Sequence, residues 1–477
     1  MDYARIAGSD RAAESPLPQS PFPQSPSSIA ERLDRLSLAP LHIAIVALCT
    51  LGLAADIGEV ALSNTFSAIF LGAPYHASHG EVSRLLAAVF AGGAVGAPIL
   101  GWWGDRGGRR MALQGALLVL AAASFAVALS PNIGWMTGFR FVSGLALGAY
   151  PPLTAAYLAD VLPPKRRGIT MMLCASFAFL GAPAVIFLIR WLTPLAPLGI
   201  AGWRWALVVG VGISAAVAGL FFLVPESPRW LATRGAAEAA ASGLLRIEAG
   251  RYLPAPVVSP QRLHRRAEFG GGEIKSGFGV LIGEPKHFKR ILLLAALYAL
   301  APWATIGFPL LSTQVLVQKG FHLSDSLLFA AVSMFGPTLG IGAVAFLMDR
   351  LDRRLALGLC AALMAGLGLA FAVSGSLASL IALGAGFNLA GAVYSAVLSL
   401  YGAELFATHL RAFATSGAWG IGRAISILVP IVLLPVLGRY GPLAMFAVIV
   451  PALLVSLLLI VAGPPGRTGQ PIDERSQ

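Results

Sequence analysis

Twelve times between Leu41 and Gly463 the chain returns to an apolar run long enough to cross a hydrocarbon core. The runs fall near 41–67, 83–104, 110–130, 134–160, 169–192, 202–224, 288–317, 324–348, 355–374, 377–403, 412–437 and 440–463. About 20 residues make one crossing. Within lipid each segment must satisfy its own backbone, which favours helices. Soluble domains carry about 25% charged residues, whereas this chain has 12% charged and 57% hydrophobic residues. The expected fold is therefore all-α, with twelve transmembrane helices in a lipid bilayer. A net charge of +12 would suggest nucleic acid for a soluble chain. Here the charge is assigned to loops held inside the cell, and no nucleic-acid partner is expected.

The short loops set an orientation. Arg106, Arg109 and Arg110 share one side with Lys165, Arg166, Arg167, Arg350, Arg353, Arg354 and Arg411, while 131–134 and 374–376 contain neither Lys nor Arg. The positive-inside rule places the basic side and both termini in the cytoplasm. Residues 1–40, with the Pro-rich run at 15–26, read as a disordered tail without a cleaved signal peptide. Residues 225–287 read as a cytoplasmic linker with one helix near Glu238–Ala249, and 464–477 as a second tail. Cys49, Cys174 and Cys360 each lie in apolar runs, so neither disulfides nor a zinc site is expected. The pair His76 and His79 lacks companion ligands, and no metal is expected.

The stretch Gly101-Trp102-Trp103-Gly104-Asp105-Arg106-Gly107-Gly108-Arg109-Arg110 has a weaker copy in Phe346-Leu347-Met348-Asp349-Arg350-Leu351-Asp352-Arg353-Arg354. In both, Asp is followed at +1, +4 and +5 by Arg, and the two aspartates stand 244 residues apart. The same offset relates Asp160 to Glu404 and Arg167 to Arg411. Two landmarks at one spacing imply a duplication, giving pseudo-symmetric six-helix bundles over 41–224 and 288–463. Parallel repeats of this kind are the framework of rocking transporters.

At these residues the chain resembles the major facilitator superfamily. Gly101-x-x-Gly-Asp-Arg-x-Gly-Arg-Arg resembles its signature loop between spans two and three. Pro225-Glu226-Ser227-Pro228-Arg229 and Gly202-Trp203-Arg204 resemble the first-half motifs of sugar porters and their organic-ion and synaptic-vesicle-protein-like relatives. The resemblance implies the major facilitator fold. It also implies a cytoplasmic gate built from Gly101, Asp105, Arg109, Arg110, Asp160 and Arg167, with Asp349, Arg353, Arg354, Glu404 and Arg411 in the other half. Span seven reads Ala301-Pro302-Trp303-Ala304-Thr305-Ile306-Gly307, without the paired glutamines that hold a hexose in sugar porters. Span four ends in Asp160 where such relatives usually carry Glu.

Charges inside the spans carry the functional expectation. Asp56 and Glu59 lie three residues apart in span one, on a face shared with Ser63. An intramembrane carboxylate costs at least about 2.5 kcal/mol, so the pair reads as a proton site with Arg140 of span four as partner. The resemblance implies Asp56 with Arg140 as the coupling positions. Arg423 stands alone in span eleven. At the repeat offset Asp56 maps to Leu300, Arg140 to Gly384 and Arg423 to Phe179. The gate is repeated and the charged interior is not. Further cavity candidates are Tyr157, Trp303, Gln314, Asn388 and Tyr394. The expected function is proton-coupled symport of a small organic solute, an organic acid preferred over a polyol, by a plasma-membrane monomer. The chain is expected not to be an enzyme and to use protons as its only coupling agent, without cofactors. Export of drugs or metabolites and solute sensing are the alternatives.

Overall fold

The computed structural model describes residues 26–72, 74–249, 285–347, 352–406 and 408–464. A short amphipathic helix, α1 (Pro26–Arg35), precedes span one, α2 (Pro40–Leu71). Spans two, three and four are α3 (His79–Gly107), α4 (Arg109–Leu129) and α5 (Ile133–Val161). Span five is broken into α6 (Pro164–Ala178) and α7 (Gly181–Leu195), and span six is α8 (Gly202–Leu220). The linker carries α9 (Pro228–Thr233) and α10 (Ala237–Ala249).

In the second half, span seven is α11 (Pro285–Thr305) with α12 (Gly307–Gln318), and span eight is α13 (Leu323–Ser333) with α14 (Phe335–Leu347). Spans nine and ten are α15 (Arg353–Val373) and α16 (Leu377–Glu404). Spans eleven and twelve run together as α17 (Thr408–Ala462), which reverses at Gly441, where φ is +83°. Among the described residues, ten helical stretches are long and apolar enough to cross a membrane. With α5 and the doubled last helix, this makes twelve crossings.

Three spans break for one reason. Pro183, Pro309 and Pro337 each lack an amide hydrogen and crowd the carbonyl four residues earlier. The preceding helices end at Ala178, Thr305 and Ser333, one residue from or at those carbonyls. Other starts are capped locally. Ser78 and Glu81 form a reciprocal capping box on α3, with Ser78 N donating to Glu81 Oε2 at 3.0 Å. Asn132 and Ser376 accept from Trp135 N and Ser379 N at the starts of α5 and α16.

Spans two and four pack backbone to backbone. Gly92, Gly93 and Gly96 meet Gly144, Leu145 and Gly148, and a Cβ on Gly93 would stand 3.4 Å from the Gly148 Cα. The small-residue face of span four therefore serves span two. The second half is centred on rings: Phe308 lies 4.9 Å from Phe371 and 4.4 Å from Phe387. In the first half Phe66, Phe70 and Trp203 cluster edge to face, and Trp203 Nε1 donates to Tyr75 Oη at 3.1 Å. Large apolar side chains such as Leu339 and Leu458 remain on the perimeter, where lipid would cover them.

One part of the expected tail is ordered. Residues 26–35 form a helix because Ile29 and Leu33 are buried against α9 and α10 while its charges pair outward. Arg32 Nη2 reaches Glu248 at 2.8 Å, and Asp34 pairs with Arg229 and, at 3.9 Å, with Arg167. The Pro-rich stretch before Pro26 lies outside the described residues, as does Asp349.

Candidate substrate and coupling site

Where the two halves meet, α2 packs on α12, α3 on α17, α6 on α14 and α7 on α13. The hydrogen bonds joining the halves lie at mid-depth and toward the face opposite the arginine-rich loops. Asn64 Nδ2 donates to Ser312 Oγ at 3.1 Å and Thr313 N to Asn64 Oδ1 at 3.2 Å. Ser83 Oγ donates to Pro430 O at 3.1 Å, Arg190 Nε to Ser324 O at 3.0 Å, and Ser176 Oγ to Thr338 O at 2.6 Å.

Between the halves is a cavity of about 640 Å³. Its wall runs from Asn64 toward the arginine-rich side, to Leu158, Met171 and Ser399. All three helix breaks open onto it: Phe179, Ile306 and Met334 are in the wall, beside Phe90, Phe387 and Trp419. Discontinuous spans at a repeat interface are where such carriers build binding sites. These positions were missed in the sequence. Their signal was present there as the proline that follows each break.

Arg140 is completely buried, and its Nη1 lies 2.7 Å from Glu59 Oε1 and 3.2 Å from the Glu59 carbonyl oxygen. Its Nη2 donates to Ser63 Oγ. The implied pairing of Asp56 with Arg140 is thus replaced by Glu59 with Arg140, because Glu59 and Ser63, one turn apart, point together at span four. Asp56 is buried too, but turned from that pair, and its Oδ1 has no hydrogen-bond partner. Arg423, in the opposite half, acts on it electrostatically without a direct ion pair. Arg423 is half-buried and, contrary to its expected place at the substrate, does not itself line the cavity; its guanidinium carbon lies 4.4 Å from the ring centre of Trp419, which does. Two acids three residues apart therefore serve different arginines, one within a half and one across the halves.

Of the other cavity candidates, Asn388 is in the wall. Tyr157 is not: it is fully buried and its hydroxyl donates to Pro225 O, tying span four to the linker. Tyr394 is buried beside Ser456, Cys360 and Tyr298. Gln314 is buried on α12 and Trp303 packs against the apolar core, and neither joins the cavity wall.

The residues expected at the gate form two clusters. In the first, Arg109 pairs with Asp105 and approaches Asp160 at 3.8 Å. Asp160 accepts from Ser227 Oγ at 3.0 Å, and Trp230 Nε1 donates to Asp105 O at 2.7 Å. Glu226 accepts from Arg110 N at 3.0 Å and so caps α4, whose own N-cap, Gly108, offers no side chain. Burial pushes the Glu226 carboxyl up, against the opposing pull of the Arg110 and Ser227 amides. In the second cluster Arg353 Nε lies 3.0 Å from Glu404 Oε1, and Asp352 caps α15 through Arg354 N and Leu355 N. The cap that the linker supplies to the first half is thus supplied by the cassette itself in the second. Arg354 Nε donates to Ile460 O at 3.1 Å, and Arg167 Nη2 to Leu162 O at 3.1 Å. Gly101 is in α3 with open space beside its Cα. The side chain of Arg411 lies outside what is described.

Gly108 carries φ +115°, and a Cβ there would collide with Glu226. Gly108→Ala is expected to destabilise the first half by about 1–3 kcal/mol, read as a lower thermal unfolding midpoint in detergent.

A family model for the sugar (and other) transporters matches residues 43–477. The chain belongs to that family. It is 28% identical to an inner membrane metabolite transport protein of Escherichia coli, over 91% of this chain and 95% of the relative. It is 25% identical to the niacin transporter of Acinetobacter baylyi, over 92% of this chain and 98% of that one. The crystal structure of a D-xylose–proton symporter superimposes with a TM-score of 0.68 at 19% identity, covering 90% of this chain and 99% of the other. The protein is a multi-pass secondary transporter of the major facilitator fold, and not an enzyme.

Proposed function

We propose that this transporter carries a small organic anion, with an apolar or aromatic body, into the cell together with a proton. The observation that supports the reading is a buried Asp56, its Oδ1 unpartnered, within the electrostatic reach of Arg423 in the other half, with Arg423 stacked on Trp419 of the cavity wall. While Asp56 is ionised it occupies the field of Arg423. A proton on Asp56 removes that competitor and leaves Arg423 to attract a carboxylate. Proton and anion then favour each other's binding, and differential affinity between the outward and inward states turns this into coupling. The apolar wall, with Phe90, Phe179, Phe387 and Trp419, suits an aromatic acid better than a polyol. The niacin transporter is a relative whose named cargo is an aromatic carboxylate.

With the arginine-rich face taken as cytoplasmic, the hydrogen bonds between halves lie mid-depth and outward, and the cavity opens inward. The clusters around Asp105–Arg109–Asp160 and Arg353–Glu404 are each paired within their own half, the form an inner gate takes when it is not closed across the halves. The partly exposed pairs of the first cluster contribute about 0–1 kcal/mol each, which biases a gate without locking it. The inner membrane is the expected location, with the monomer as the working unit.

Proteoliposomes screened with nicotinate, benzoate, xylose and an organic amine test the reading. One monoanion carried with one proton is electroneutral, so a pH gradient is expected to drive accumulation and a membrane potential alone is not. Xylose uptake that ignores Arg423→Ala would sink the anion assignment. Accumulation only in inverted vesicles would make the carrier an exporter, and binding without movement a sensor.

A further inference from the structure

Asp56 does not reach the cavity by itself. Span one contributes Leu53, Ile57, Val60, Ala61 and Asn64 to the wall, while Asp56 is buried beside it. The side chain of Tyr150, from span four, packs on this stretch of span one. Its hydroxyl is seated against Gly52, one helical turn before Asp56, where any Cβ would collide with the phenol. One turn further along span four stands Thr154, which does line the cavity. Tyr150 interacts electrostatically with Asp56 and lies beside Thr154.

The three groups share a property with several other buried polar atoms of the described residues, but only here do they stand in sequence. Asp56 Oδ1, Tyr150 Oη and Thr154 Oγ1 are each buried without a hydrogen bond of normal geometry. Buried polar atoms are nearly always satisfied, and leaving one unpaired costs about 1–3 kcal/mol. Three in sequence, from a buried carboxylate to a cavity wall, need a common explanation.

We propose that Tyr150 and Thr154 form the proton path between the cavity and Asp56. The inference rests on the reading that Asp56 takes the coupling proton. On release, the Asp56 carboxyl gives its proton to Tyr150 Oη as the phenol hydrogen passes to Thr154 Oγ1. The threonine hydrogen then leaves to water in the cavity. Both hydroxyls end neutral, with their O–H bonds re-formed, and loading runs the same chain backwards. Gly52 is part of the device, since it lets the phenol sit against the span-one backbone. The other titratable or charged groups facing this path are Glu59 on the same helix, Arg423 across the halves, and Cys49 and Cys174 beside Tyr150.

Infrared difference spectroscopy on the full-length, substrate-free protein tests the path without a known substrate. The Asp56 carboxyl band is assigned by its loss in Asp56→Asn, and its appearance is followed after a jump to acid pH. Tyr150→Phe is expected to slow protonation by about tenfold or more, the low end of what a positioned proton donor contributes being about a hundredfold. Thr154→Val, which leaves the phenol in place, is expected to slow it less. The titration midpoint should stay within a few tenths of a unit, which separates a path from a structural disturbance. Wild-type kinetics in both variants, or slowing accompanied by a displaced midpoint, overturns the path and leaves Asp56 as the proton site. Absence of any titrating band sensitive to Asp56→Asn instead removes the reading on which the path rests.

Discussion

Glu59→Gln is expected to lower the stability of the folded carrier by about 3–5 kcal/mol, the usual loss when one partner of a buried ion pair is removed. Arg140 has no exposure to water, and its bonds to Glu59 Oε1, the Glu59 carbonyl and Ser63 are all within the first half. Taking the charge away leaves a guanidinium with only neutral acceptors and the Phe66 ring, whose centre is 5.6 Å away, for company. The measurement is the thermal midpoint of detergent-purified protein, followed by size-exclusion. Glu59→Met combined with Arg140→Met should recover most of the loss, because two apolar side chains of similar volume replace the pair without an orphaned charge. A Glu59→Gln protein with an unchanged midpoint and abolished proton coupling would reverse the assignment and make Glu59 the titrating group.

Asp56→Asn is expected to do the opposite: little change in stability and complete loss of concentrative uptake. Its Oδ1 has no hydrogen bond to forfeit, and the amide is close in size to the acid. A permanently neutral side chain mimics the protonated state, so Arg423 stays available to an anion. Exchange of labelled for unlabelled solute across the bilayer should therefore persist, while a pH gradient no longer drives net accumulation. Asp56→Glu is the informative companion, since it keeps the charge and moves it by one methylene. Concentrative uptake surviving in Asp56→Asn would remove this residue from the coupling step. The two acids stand three residues apart on one helix, and these two experiments separate scaffold from switch.

Much of the architecture was legible in the sequence. Apolar run length gave the crossings, since a bilayer imposes a minimum span. The offset of 244 residues between the cassettes, and between Asp160 and Glu404, gave the duplication. The unrepeated residues Asp56, Glu59, Arg140 and Arg423 were visible because charge inside an apolar run demands a reason. The tail helix α1 was not legible. Its own composition is too polar to order it, and its two buried residues find their partners about 200 positions away, on the linker. The role of Glu226 was hidden in the same way: its spacing from Arg110 says nothing about an amide left uncapped at Gly108.

Sequence by itself determined that this chain crosses a membrane as two related halves, and which few charges break its apolar interior. Only the tertiary structure decided which arginine each acid serves. Spacing along a helix fixes the side on which a residue stands, and it places Asp56, Glu59 and Ser63 together. It does not fix what stands opposite. That depends on how span four leans on span one and how span eleven of the other half approaches both, which is a property of packed surfaces rather than of any one segment. The same packing moved Tyr157 from the cavity to the linker and set the Tyr150 hydroxyl against Gly52, one turn from Asp56.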